Sequence, residues 1–217
     1  MLSSMSAVLQ SSYQELHVPV GPNAYIHTVV FEPDQPPSVD EDEEAHLPLV
    51  MIHGFGCGIP QFYKNFDHLH SNRRVYAIDL PGFARSTRVE FTPDADECEQ
   101  EFVDYIEKWR EGVELERFIL LGHSLGGFLS SAYTMKHPSR VRHLILDDPW
   151  GFPERPSEET SRKLPFLFVT ASIFLNRFNP FTPLRAAGPI GEQIVVPFFT
   201  VNWTERGLDK MKACCQT

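Results

Sequence analysis

An α/β fold of the doubly wound type follows from three features of the chain. These are short, continuously apolar runs, two amphipathic stretches between them, and the order in which they alternate. The runs are "LVMIH" (residues 49–53), "RVYAIDLPGFARS" (74–86, broken at Pro81-Gly82), "RFILLGH" (117–123) and "VRHLILDDP" (141–149). A run without alternation predicts a strand buried on both faces, as in a parallel sheet. "AYIHTVVFE" (24–32), rich in β-branched and aromatic residues, predicts a further strand.

The first amphipathic stretch covers residues 92–113. Thr92 is its expected N-cap and Pro93 its first helical residue, with acids filling the first turn. Ala95, Cys98, Phe102, Ile106, Trp109 and Val113 recur every three or four positions, which is one helix face against a sheet. The second stretch, "LGGFLSSAYTMKH" (125–137), is stopped by Pro138.

Between strands, residues 33–48 collect prolines and acids and predict a solvated loop. After Pro149 the strand and helix rhythm is lost. Residues 1–149 therefore read as the N-terminal part of a core, and 150–217 as a lid or cap segment with a divergent tail. Phe166, Phe168, Phe174, Phe178 and Phe181 cluster in that segment. They suit either packing within a lid or a surface turned to acyl chains or a bilayer. Arg155 and Arg162 suit solvated charge better than a phosphate site.

A chain of 217 residues can bury one sizeable core. Its net charge of -10 argues against nucleic acid and against simple electrostatic docking on anionic lipid. Cys57, Cys98, Cys214 and Cys215 form no C-x-x-C pair and no zinc spacing, so reduced thiols in a cytoplasmic protein are expected. The N-terminus lacks the basic and apolar regions of a signal peptide. The longest apolar-rich run, 164–175, is too short to span a bilayer.

The chemistry centres on "LLGHSLGGFLSS" (120–131), which contains a G-x-S-x-G pentapeptide. A serine leaving a buried strand and entering a helix sits on a sharp turn. Gly122 and Gly126 remove side chains that would collide there, and His123 completes the pentapeptide. The turn lifts the Ser124 hydroxyl to a helix N-terminus, where N–H groups favour developing negative charge. The second element is "HGFGCG" (53–58), a loop of His53, Gly54, Phe55 and Gly56 at the end of a strand. The N–H groups of Phe55 and Leu125 are the expected oxyanion donors. His53 is expected to order this loop by hydrogen bonding, not to act as catalytic base. No cofactor or metal is called for.

"HGFG", "IDLPGFARS", "GHSLGGFLSSAYTMKHPSRVRHLIL" and "DPWGFPERP" resemble the α/β-hydrolase superfamily, in its α/β-hydrolase-domain four and five branch. The resemblance runs from about residue 13 to about residue 197, and "DPWGFPERP" is specific to the branch. It implies an α/β-hydrolase fold: a mostly parallel sheet with helices on both faces and a helical lid. It implies a serine hydrolase of lipid esters, of lysophospholipase or N-acyl phospholipid lipase type. The alternatives it carries are a non-catalytic lipase coactivator and a lysophosphatidic acid acyltransferase. A lipid substrate and peripheral contact with a membrane or lipid droplet follow from the same resemblance. Enzyme-like members keep Ser at the turn and the vertebrate coactivator carries Asn, so Ser124 leans to the hydrolase side.

In this fold the acid and the histidine of the triad follow the serine in the chain. None of the nine histidines lies beyond residue 143. The expectation is a core without its last two strands, edged by the 141–149 strand, and an impaired short form. His143 and Asp148 share the H-x4-D spacing that the family uses for its base. That spacing is read as coincidence because His143 falls within an expected core strand. Asp148, at a strand end, is a candidate acid without a base.

Overall fold

The computed structural model describes residues 9–35 and 46–151, all within the compact unit Met1–Pro153. The expected lid, its phenylalanines, Arg155, Arg162, Cys214, Cys215 and most of the acidic loop lie outside the described residues.

Among the described residues six strands form one mixed sheet: β1 (Gln14–Gly21), β2 (Ala24–Phe31), β3 (Leu49–Ile52), β4 (Val75–Ile78), β5 (Phe118–His123) and β6 (Val141–Asp147). Their spatial order is β1-β2-β4-β3-β5-β6. Strand β2 runs antiparallel to β1 and β4, while β3, β4, β5 and β6 are parallel. Every residue of β3, β4 and β5 is buried, which is why their sequences run apolar without alternation. Among the described residues β6 is a sheet edge, and Leu146 on it is exposed.

Among the described residues three helices attach to the sheet: α1 (Phe66–Leu69), α2 (Ala95–Gly112) and α3 (Leu125–Lys136). Side chains alternate across a strand, so Thr28 and Phe31 of β2 point to opposite faces. The Trp109 indole of α2 donates to Thr28 Oγ1 at 2.9 Å, whereas Phe66 of α1 stacks on Phe31 at 4.6 Å. Helices thus lie on both faces. Helices α2 and α3 share one, joined where Tyr133 Oη and Arg110 both donate to the Glu107 carboxylate. Burial disfavours ionisation of Glu107, but these bonds outweigh it and hold its carboxyl below the ordinary glutamate value.

Two sequence expectations shift. The N-cap of α2 is Asp94, not Thr92: its carboxylate accepts from the N–H groups of Asp96 and Glu97 at 3.1 and 3.0 Å. Thr92 instead donates its hydroxyl to Glu97 across the same turn. A carboxylate beside the helix N-terminus also meets the positive end of the backbone dipole, which favours Asp over Thr. The solvated loop is also shorter than residues 33–48. Leu47 is buried, and the Pro48 carbonyl accepts from the Ile119 N–H at 2.8 Å, so the chain has already joined the sheet.

Candidate active site

Strand β5 ends at His123 and α3 begins at Leu125, so Ser124 alone makes the turn. Its backbone takes φ +52° and ψ −115°, a strained conformation for a residue with a side chain. Neighbouring backbone holds it there. The Ser124 N–H donates to the Asp147 carbonyl at 3.1 Å, and the Ser124 carbonyl accepts from the N–H groups of Trp150 (2.9 Å) and Phe128 (3.2 Å). The Ser124 side chain makes no capping bond to α3.

The glycines around it are required by contact. A Cβ on Gly122 would stand 2.3 Å from the Gly126 carbonyl oxygen, and one on Gly126 would stand 2.3 Å from that of Ile52. Both obstacles are backbone, which cannot step aside.

The 53–58 loop runs directly over this turn. A Cβ on Gly54 would lie 3.1 Å from Ser124 Cβ and 2.8 Å from His123 Nδ1. Gly54 is gripped at both ends. Its N–H donates to Gln61 Oε1 at 3.1 Å, and its carbonyl accepts from the Cys57 N–H at 3.2 Å. His53 supplies the third contact. The Leu80 N–H points at His53 Nε2 at 3.0 Å, which makes that nitrogen the acceptor. The proton therefore sits on Nδ1, which donates to the Gly54 carbonyl at 2.7 Å. A planar trans peptide then turns the Phe55 N–H away from His53. Gly56 follows with φ +71°, a left-handed conformation suited to glycine.

Burial lowers the pKa of His53, against the opposing effects of the Gly54 bond and the Asp79 charge. His53 is thus a neutral, doubly bonded part of the loop. His123 is also buried, and its pKa is pushed down to about 4 by desolvation, with the Asp148 charge opposing. So low a value makes it a poor proton acceptor. His143 pairs with Ile119 in β6 and is exposed, with Asp148 beyond the end of the same strand. Asp148 is exposed at φ +46° in the link between Asp147 and Trp150 that brackets Ser124. Phe55 and Trp150 are half or more exposed.

Asp79 and Gln61 also shape the site and escaped the sequence reading. Asp79 is buried at the end of β4. It accepts from the Ile59 N–H (2.8 Å) and the Arg85 N–H (3.2 Å) and faces His27 Nδ1 at 2.9 Å. It thereby ties the 53–58 loop to the turn after β4. An aspartate in "IDLPG" is a signal of sorts, since an acid ending a buried strand needs partners.

A strained serine turn between a parallel strand and a helix, on this strand order, defines an α/β-hydrolase. Residues 48–187 match the family described as alpha/beta hydrolase fold, and the chain belongs to that family, in its α/β-hydrolase-domain four and five branch. It is 51% identical over 152 residues to the 1-acylglycerol-3-phosphate O-acyltransferase ABHD5 of Rattus norvegicus, covering 70% of this chain and 43% of that protein. It is 43% identical over 191 residues to the (lyso)-N-acylphosphatidylethanolamine lipase of Mus musculus, covering 88% and 54%. The chain thus spans about half the length of the curated relatives it matches. Among solved structures it is similar to a bacterial membrane phospholipase A (TM-score 0.56, 24% identity, 74% of this chain and 47% of that one). It is also similar to the haloalkane dehalogenase DatA of Agrobacterium tumefaciens C58 (TM-score 0.57, 21% identity, 78% and 54%). At such identities these two likenesses concern the fold alone. Among the described residues no helix is long and apolar enough to cross a membrane.

Proposed function

We propose that Ser124 of this chain is the acyl-transfer nucleophile of a lipid-directed serine hydrolase. The observation that carries the reading is the strained Ser124 backbone, held at φ +52° under the Gly54 loop. Ser124 Oγ gives up its proton and attacks the ester carbonyl of a lysophospholipid or N-acyl phospholipid, whose π electrons pass to the oxygen. Collapse then breaks the ester C–O bond, leaving the acyl group on Ser124 and releasing the alcohol, which takes up a proton. The N–H groups of Phe55 and Leu125 receive the resulting oxyanion, one from the loop and one from the start of α3. Exposed Phe55 and Trp150 suit an apolar acyl chain beside the serine. The names of the relatives, a lipase of N-acyl phospholipids and an acyltransferase to 1-acylglycerol 3-phosphate, point to the same substrate class. Contact with a membrane or lipid-droplet surface belongs to this proposal, since such substrates reside there.

A second reading has an observation of its own. Of the two histidines beside the turn, His53 is committed to the loop and His123 is a poor base. Asp148 thus has no suitable base among them. This favours a protein that binds lipid, or a lipase, without turning over. Labelling the 217-residue chain with a fluorophosphonate decides between the two. Labelling at a rate comparable with a known serine hydrolase, abolished in Ser124→Ala, excludes the binding protein. Absence of labelling in intact, folded protein excludes catalysis by this chain.

A further inference from the structure

We propose that Gln61 is a positioning residue of the oxyanion loop, acting through Gly54 on the Phe55 N–H. The inference rests on the reading of Ser124 as nucleophile and goes beyond it by naming what holds the loop.

Gly54 cannot be replaced by a larger residue without meeting His123 and Ser124, because a Cβ there would stand 2.8 and 3.1 Å from them. Yet glycine is the residue whose backbone is least confined by its own sterics. A donor that must meet a developing charge within a few tenths of an ångström therefore follows a residue that does not fix its own dihedrals. The two peptide planes flanking Gly54 have to be fixed from outside.

The plane after Gly54 is held by His53 Nδ1 and the Cys57 N–H, which both donate to the Gly54 carbonyl. The plane before it is held by Gln61, whose Oε1 accepts the Gly54 N–H at 3.1 Å. With both planes held, φ and ψ of Gly54 are set and so is the direction of the Phe55 N–H. Gln61 is well placed to be rigid. It lies in a 3-10 turn (Ile59–Phe62) whose Ile59 and Phe62 are buried and whose Ile59 N–H is anchored on Asp79 at 2.8 Å. The other end of the Gln61 amide, Nε2, is buried and has no hydrogen-bond partner among the described residues. An apolar side chain of similar size would avoid that unmet donor. What the amide contributes here is its oxygen.

The test uses the full chain with Gln61→Leu and Gln61→Glu. It reads amide hydrogen exchange at Gly54 by NMR and the rate of fluorophosphonate labelling of Ser124. Gln61→Leu removes the acceptor. Gly54 exchange is expected to accelerate at least about tenfold, and labelling to slow at least about tenfold. Gln61→Glu keeps an accepting oxygen and adds a negative charge near the oxyanion. It should retain Gly54 protection, label slowly, and regain labelling relative to wild type as the pH is lowered and its carboxyl becomes neutral. A merely structural role for Gln61 would not produce that recovery. Unchanged Gly54 exchange in Gln61→Leu overturns the clamp. Accelerated exchange with unchanged labelling overturns its role in positioning. Absence of labelling in the wild type defeats the reading of Ser124, and the positioning role with it, whatever Gly54 exchange shows.

Discussion

Gly54 lies so close to Ser124 that a single methyl group on it would stand 3.1 Å from the serine Cβ. This contact is where the 53–58 loop and the β5–α3 turn meet. Gly54→Ala must push one of them away. Displacement of a reacting group by about 1 Å costs on the order of 100-fold in rate, so the few tenths of an ångström that this contact demands should cost roughly threefold to tenfold. Fluorophosphonate labelling of Gly54→Ala should fall by about that factor, while overpacking costs roughly 1–3 kcal/mol of stability by denaturant titration. Labelling at the wild-type rate would show that the loop does not serve the serine.

Two buried histidines, His53 and His123, make stability depend on pH. In the folded chain His53 and His123 are held below the ordinary histidine value of 6.5, His123 at about 4. Between 6.5 and the lowered values the unfolded chain binds the extra protons, so stability is fully present above pH 6.5 and falls as the pH drops below it. Each group contributes a slope of at most about 1.4 kcal/mol per pH unit. Denaturant titrations at pH 7.5, 6.0 and 5.0 should show this decline. His123→Asn should make it shallower.

Helices α2 and α3 are joined through a buried guanidinium. Arg110 donates to Glu107 from both Nε and Nη2 and from Nη1 to the Leu115 carbonyl, while Tyr133 reaches the same carboxylate from α3. Arg110→Leu leaves a half-buried carboxylate with one donor fewer on each oxygen. It should cost about 2–4 kcal/mol in chemical denaturation. Tyr133→Phe removes one bond to a charged group and should cost about 1.5–3 kcal/mol. Loss of the Glu107 charge below its lowered pKa reproduces part of this in wild type, so stability drops further as the pH falls below the ordinary glutamate value of 4.5.

The sequence by itself determined the parts whose signal is local. Strands β3, β4 and β5 are buried on both faces, and that environment writes an unbroken apolar run into any chain that fills it. The Ser124 turn was legible because a strand, two small residues and a helix within a dozen positions leave few other conformations. Strand β1 was not legible. It is mostly exposed and contains Pro19, which an edge strand tolerates but which weakens a strand signal. Nor could the sequence choose between Thr92 and Asp94, both good caps two residues apart.

Tertiary structure alone decided which distant groups meet. Asp79 finds His27 across 52 residues, Trp109 finds Thr28 across 81, and the Leu80 N–H sets the tautomer of His53. Gln61 reaches back only seven residues to Gly54, yet no periodicity marks it, because its contact depends on how the loop folds over Ser124. A hydrogen bond between loops leaves no repeating pattern in either partner. The serine could be found by reading the chain, and the way its surroundings are held could be found only by folding it.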